Sequence, residues 1–315
     1  MEAHPRTSAT RLPPLAVPEI MTTAGLHELG HDAAAIRRKV RAGELVRLRR
    51  GHYAAPALGA AERERCRVLA VLEAQGGSPV VSHATAARAW GLPVRRAATT
   101  DVHLLVAGQS RSKRRGGVHL HGGRLAADEV TVHQGMPLTT LARTVIDMAR
   151  SEDPGWALAA ADAALHTGLV DRTQLDEQLV RQAGVRGSAH ARAVVRMADA
   201  RVESPGESLC RAALRQHGVP DPVLQQSLHD DAGFVGRVDF WWPQQRVVLE
   251  FDGREKYFAN ARPGLSPSDV LWAEKRREDR LRALGCTVVR CTWDEVLHHP
   301  EQVAERVLRA LASVA

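Results

Sequence analysis

Cysteine is scarce, and none of it is spaced for metal. Cys66, Cys210, Cys286 and Cys291 form no CxxC pair. A zinc-finger set or a disulfide framework is therefore not expected, and a reducing compartment is. Cys286 and Cys291 stand five apart on one expected strand, so they face opposite ways. No apolar run approaches the roughly 20 residues of a membrane helix. Residues 1–18 contain Pro5, Pro13, Pro14 and Pro18 and have no apolar signal core. A flexible tail over 1–14 is expected, in a cytoplasmic protein without a membrane partner, with nucleoid association left open. The chain also lacks an internal repeat, a Walker loop, a dinucleotide fingerprint and a Ser/His/Asp arrangement.

What is present in excess is positive charge. Lys and Arg number 43 against 36 Asp and Glu, a net +7 over 315 residues, with a pI near 9.8. Such a length holds two or three domains, and basic surface attracts polyanions. Part of the arginine reflects an Arg/Ala-rich composition, so position says more than the total. Residues 35–52 hold Arg37, Arg38, Lys39, Arg41, Arg47, Arg49 and Arg50 against one acid, Glu44. Thr22-Thr23 can cap a short helix ending at Gly30. His31-Asp32 caps a second, Ala33 to Ala42, with Ile36 and Val40 inward and Gly43 as its stop. Glu44 to Tyr53 then alternates as a hairpin. Helix, turn, helix and β-wing is the winged-helix pattern, which sets its second helix in the major groove and its arginines on phosphate. The alternative is a solvated basic helix packed on a neighbouring domain.

The most informative stretch is residues 237–256. Residues 237–242 alternate, with Val238, Phe240 and Trp242 on one face and Arg237, Asp239 and Trp241 on the other. Residues 246–252 alternate too, with Glu250 and Asp252 sharing a face. Pro243 and a turn at Gln244-Gln245 pair the runs antiparallel and set Asp239 opposite Glu250. Like charges across a hairpin destabilise it. Their retention asks for a cation, and Mg²⁺ (or Mn²⁺) suits carboxylate oxygens. Lys256, past Gly253, adds a positive group for a phosphate. The plainer reading is an acidic solvent face. Upstream, Ser204 to Leu214 reads as a helix with Glu207 in its first turn. Downstream, Ser266-Pro267 opens a helix that runs to Leu284 and stops at Gly285. A strand follows from Cys286 to Trp293. The expected order is helix, hairpin, helix, strand, helix.

The middle says less. Ala61–Gln75 is an amphipathic helix with Val68, Leu69 and Leu72 inward. Asp101–Val106 and Val118–His121 alternate as strands around a basic loop at 111–115 that could touch phosphate. His119 and His121 share a strand face, with His103 expected nearby. No carboxylate or cysteine stands at matching spacing, so a metal site is not expected there. His83 reads as a local structural partner. Residues 155–200 are Ala-rich helices, Trp156–Leu165 and Thr173–Gln182 among them.

Two stretches carry resemblances. Glu250 to Tyr257, together with Trp272 to Gly285 and Val288 to Arg290, resembles the very-short-patch-repair endonuclease-like domains of the PD-(D/E)XK nuclease superfamily, over about 201–315. That likeness implies Mg²⁺ held by Glu207, Asp239, Glu250 and Asp252. Asp252 stands where the family has lysine, and the nearest lysine is Lys256. Residues 15–200 resemble the AbiEi-type antitoxins of type IV toxin–antitoxin systems. The likeness runs through Asp32 to Tyr53, Val81 to Ala87, Trp90 to Pro93 and Pro137 to Asp147. It implies a DNA-binding autoregulator beside a toxin partner, although the opening helix is reduced here to about Leu15–Ile20.

The expected fold class is α+β / α/β multidomain: a winged helix over 15–58, a mixed middle domain over 59–200, and a restriction-endonuclease-like core over 201–315. The expected function is Mg²⁺-dependent hydrolysis of DNA phosphodiesters in duplex or structured DNA. Glu207, Asp239, Glu250, Asp252 and Lys256 would form the catalytic set. Arg280 and Arg290 would join Arg37, Arg38, Lys39, Arg41, Arg47, Arg49 and Arg50 on DNA. The rival expectation is a non-enzymatic regulator or antitoxin with a degenerate nuclease domain.

Overall fold

A computed structural model describes residues 20–313, apart from 76, 97–99, 110 and 254–266. The expected tail, residues 15–19 of the expected opening helix, Lys256 and the cap Ser266 lie outside the described residues. The architecture is mixed α+β, in two compact units. One comprises the described parts of Met1–Ala89 and Thr99–Thr140, the other those of Trp90–Ala98 and Leu141–Ala315. Residues 141–200 thus fall in the same unit as 201–315. The reason is packing: Ala159 and Val202 share one core with Leu209, Cys210 and Leu214.

The first unit begins with β1 (Met21–Thr22), α1 (Thr23–Glu28), α2 (Ala33–Arg41), β2 (Val46–Arg49) and β3 (His52–Ala54). Thr22 Oγ1 accepts from Gly25 N at 3.0 Å and Asp32 Oδ1 from Ala35 N at 2.6 Å, so both helix starts satisfy orphan amides with side-chain caps. Leu26, Ile36 and Leu45 form a small core with Met21, Val40 and Tyr53 against it. The strands order β1-β3-β2. Next come α3 (Ala60–Ala74), β4 (Val80–Val81), α4 (His83–Ala89), β5 (Val102–Ala107), β6 (Lys113–Arg115), β7 (Val118–Gly123), β8 (Val130–His133) and β9 (Met136–Thr139). The last six strands make a sheet ordered β6-β7-β5-β4-β9-β8. β5 and β7 are parallel neighbours, not the two arms of one hairpin. Part of the expected loop at 111–115 is the exposed edge strand β6, antiparallel to β7. Gly116 and Gly117, at φ 59° and 76°, make its tight turn.

The second unit runs α5 (Leu141–Ser151), α6 (Pro154–His166), α7 (Arg172–Arg181), α8 (Ser188–Met197), α9 (Pro205–Gln216), β10 (Val223–Asp230), β11 (Gly233–Trp242), β12 (Val247–Asp252), α10 (Pro267–Ala283), β13 (Thr287–Thr292), α11 (Trp293–His298) and α12 (Pro300–Ala312). The sheet is ordered β10-β11-β12-β13. Its first three strands are antiparallel, and β13 lies parallel to β12. Strand β10 is absent from the order read from sequence. Its polar run Val-Leu-Gln-Gln-Ser-Leu-His-Asp hides the alternation.

One face of this sheet packs Phe240, Trp242, Leu249 and Phe251 against α9 and α12. The other packs Val235, Val238 and Val248 against Leu281 of α10. Val238 and Phe240 therefore lie on opposite faces, contrary to the simple alternation. The inversion falls at Asp239. Opposite it, Gln225 takes the left-handed φ of 53°, and the paired register skips both residues.

Gly206, in the first turn of α9, lets the Phe251 ring lie against the helix backbone. A Cβ there would overlap the ring. Gly206→Ala should cost about 1–3 kcal/mol, the usual price of overpacking, read as a lowered urea midpoint with unchanged m. An unchanged midpoint would show that Phe251 relaxes freely.

Candidate functional site

The acidic cluster is built where the start of α9 meets the irregular step of β11. Ser204 caps α9 and places Glu207 in its first turn. Glu207 is 2% exposed. Its Oε1 accepts from Ser204 Oγ at 2.7 Å, and its Oε2 from Glu203 N at 3.2 Å and Gln225 Nε2 at 2.9 Å. The same Gln225 Nε2 reaches Asp239 Oδ1 at 3.3 Å, so one amide bridges two carboxylates. Asp239 Oδ2 accepts from Phe251 N at 2.9 Å. The recorded β11–β12 pairs end at Phe240–Leu249, and one step further in that register sets Asp239 opposite Glu250. There the carboxylate of Asp239 takes the Phe251 amide.

Helix α9 is fixed from behind by Asp162 of α6. Its carboxylate accepts from Ser208 Oγ at 2.7 Å and from Arg211 Nη2 at 3.0 and 3.1 Å. Burial outweighs the Arg211 guanidinium and pushes Asp162 up to about 6.

Glu250 is committed to guanidinium groups. It pairs with Arg277 of α10 and with Arg290 of β13 at 3.8 Å. Arg277 crosses β11 over Gly236, where any Cβ would collide with it. Arg290 also pairs with Glu274 at 2.9 Å and Glu278 at 3.0 Å. Asp252, half-buried at the end of β12, is paired with Thr292 in the parallel ladder.

Carboxylates facing one another across β11 and β12 call for an offsetting positive group. Arg277 and Arg290 supply it at Glu250, and the Gln225 amide serves Glu207 and Asp239. Among the described residues no three carboxylates bring one oxygen each within 4.8 Å of one another; His103, His119 and His121 are the set whose ring nitrogens do so. Glu207 and Asp239 share the Gln225 amide, whereas Glu250 is held by Arg277 and Arg290. Sequence reasoning missed Gln225 and Arg277. Arg277 carried a signal, three residues past Glu274 on α10. Gln225 carried none.

The basic positions divide. Arg37, Arg38, Arg41, Arg47 and Arg50 are exposed on α2 and the β2–β3 hairpin. Lys39 pairs with Glu44 at 2.8 Å. Arg49 donates to the Ala70 carbonyl at 2.9 Å and ties the hairpin to α3. Arg280 is taken up by Asp230, at 2.7 and 2.5 Å, and by the Phe234 and Gly233 carbonyls. Arg280 and Arg290 are thus engaged in ion pairs within the second unit, while Arg37, Arg38, Arg41, Arg47 and Arg50 of the first unit face solvent.

These features define a two-unit α+β protein with a basic helix–turn–helix-and-hairpin segment and an ion-paired acidic cluster. No family model matches the chain. It belongs to the family of the uncharacterized protein Rv2248 of Mycobacterium tuberculosis strain H37Rv. The two are 33% identical over 277 residues, 87% of this chain and 94% of that one. The uncharacterized protein MT2308 of strain CDC 1551 aligns to the same extent. An uncharacterized protein of Haemophilus influenzae is 32% identical over 77 residues, 24% of this chain and 56% of its own. The crystal structure of the RV2827C protein of M. tuberculosis superposes with a TM-score of 0.41 at 16% identity, over 68% of this chain and 84% of that one.

Proposed function

We propose that this chain binds duplex DNA through α2 and the β2–β3 wing, and that its second unit acts as a non-cutting, nuclease-like module. The observation that carries the reading is the set of exposed arginines, Arg37, Arg38, Arg41, Arg47 and Arg50, on two adjoining elements. A helix and wing so charged suit the groove and its flanking phosphates. The Glu250 pairings with Arg277 and Arg290 support a regulator of the antitoxin kind, with a toxin as its protein partner. A labelled duplex titrated with the full chain should give saturable binding that weakens with salt. No binding at 50 mM salt would overturn the reading.

A second reading, a Mg²⁺- or Mn²⁺-dependent endonuclease, is favoured by one observation. A helix, three antiparallel strands, a helix and a parallel strand succeed one another from α9 to β13, which keeps the helix, hairpin, helix and strand read from sequence and adds β10 to them. Glu250 would first have to leave Arg277. Nicked, mismatched, single-stranded and supercoiled DNA should remain uncut with either metal, and the melting temperature should not rise at millimolar Mg²⁺. A product that requires metal and disappears in both Asp239→Asn and Glu250→Gln would establish the endonuclease instead.

A further inference from the structure

Four imidazoles meet in the first unit, away from every residue assigned above. The parallel ladder sets His103 of β5 beside His119 of β7 and Leu105 beside His121. His119 and His121 therefore share a face with His103. One ring nitrogen from each of the three lies within 4.8 Å of the others. His103 Nδ1 and His121 Nε2 are 3.0 Å apart. Across a tetrahedral ion bound at 2.0–2.1 Å, nitrogens stand about 3.4 Å apart, so a small opening of this pair admits one.

The surroundings hold these rings in place. His103 N donates to Thr85 Oγ1 at 2.9 Å, and Ser82 N donates to the His103 carbonyl at 3.0 Å. Both backbone groups of His103 are thus fastened to the start of α4. His83, the first residue of α4, takes the left-handed φ of 49°, an uncommon conformation for a non-glycine residue. It lies flat on His121 with ring centroids 3.6 Å apart. Its Nδ1 lies 3.0 Å from Ser82 Oγ, which fixes the ring that stacks on His121. Arg114, across the β6–β7 ladder from His119, is turned to the carboxylate of Asp101. That pairing offsets the nearest positive charge.

We propose that His103, His119 and His121 form a three-nitrogen site for a divalent transition-metal ion of the Zn²⁺ class, with its fourth position open. Imidazole suits Zn²⁺, Cu²⁺ and Ni²⁺, whereas Mg²⁺ and Ca²⁺ take oxygen donors. The ion ties β5 to β7 beneath α4. The site is independent of the DNA-binding reading and of the acidic cluster.

Its test uses the tag-free full chain, stripped with EDTA and dialysed. It is titrated with Zn²⁺ by calorimetry and with Co²⁺ by visible absorption. One Co²⁺ per chain is expected, with the intense visible bands of a four-coordinate nitrogen-rich site, discharged by one equivalent of Zn²⁺. His119→Gln/His121→Gln should weaken Zn²⁺ by more than the 10–100-fold typical of a lost outer-shell partner. His119 and His121 are partly exposed, so the fold should survive, as circular dichroism will show. The single variant His119→Gln serves if the double does not fold. Asp239→Asn should bind Zn²⁺ as wild type does. Absence of stoichiometric binding by wild type, binding retained in the histidine variants, or binding lost in Asp239→Asn would each overturn the proposal.

Discussion

Asp147→Ala should destabilise the second unit by about 3–5 kcal/mol, the cost of breaking a buried ion pair from one side. For a unit of this size that lowers the melting temperature by roughly 6–20 °C. Asp147 is fully buried, and Arg143, one helical turn before it on α5, is 1% exposed; Arg143 Nε lies 3.0 Å from Asp147 Oδ2. Arg150 Nη1 meets the other oxygen at 3.1 Å. Arg150 also donates to the Arg186 carbonyl at 3.0 Å and to Gln182 Oε1 at 3.4 Å, so the network joins α5 to the segment between α7 and α8. Removing the carboxylate takes its counter-charge from a guanidinium that water cannot reach. An apolar double replacement, Arg143→Met/Asp147→Leu, should recover much of the loss, because neither charge is then left buried. If Asp147→Ala melts within 2 °C of wild type, the pair has no structural role. This also explains the run from Pro137 to Asp147, which carried the antitoxin resemblance: its two charged residues lie buried in the helix core.

Local chemistry was readable where one residue type has one job. Thr22, Asp32 and Ser204 cap the helices their positions suggest, because a cap needs only its own first turn. The β11–β12 pairing was readable from alternation, with Trp241 opposite Val248. What stayed hidden is non-local. The polar β10 shows no apolar stripe, and nothing in Gln225 announces a left-handed residue that inverts a strand. That β5 and β7 are parallel neighbours cannot be read from either strand alone. The sequence therefore put His119 and His121 on one face with His103 nearby, but not the parallel register that sets His103 beside His119. Charge was the least legible quantity of all. Arg280 and Arg290 read as cations for DNA, and the structure gives each a carboxylate that lies far off in the sequence or on another element.

Duplex binding should collapse when Arg37, Arg38, Arg41 and Arg47 are replaced together by alanine. Each phosphate contact releases counterions and contributes about 0.9 to the slope of log K against log salt. Four lost contacts should flatten that slope by about 3.6. The affinity at low salt should fall by at least about 100-fold under the proposed reading, because phosphate contacts supply essentially all sequence-independent affinity and these arginines would make four of them. The four positions are exposed and none belongs to the Leu26–Ile36–Leu45 core, so the melting temperature should stay near that of wild type. Arg49 is left intact because its bond to Ala70 holds the hairpin on α3. The decisive measurement is the salt dependence of duplex affinity for wild type and this fourfold variant, by fluorescence anisotropy from 50 to 300 mM salt. The account predicts a steep slope for wild type and one shallower by about 3.6 for the variant. Equal affinities and equal slopes would contradict it.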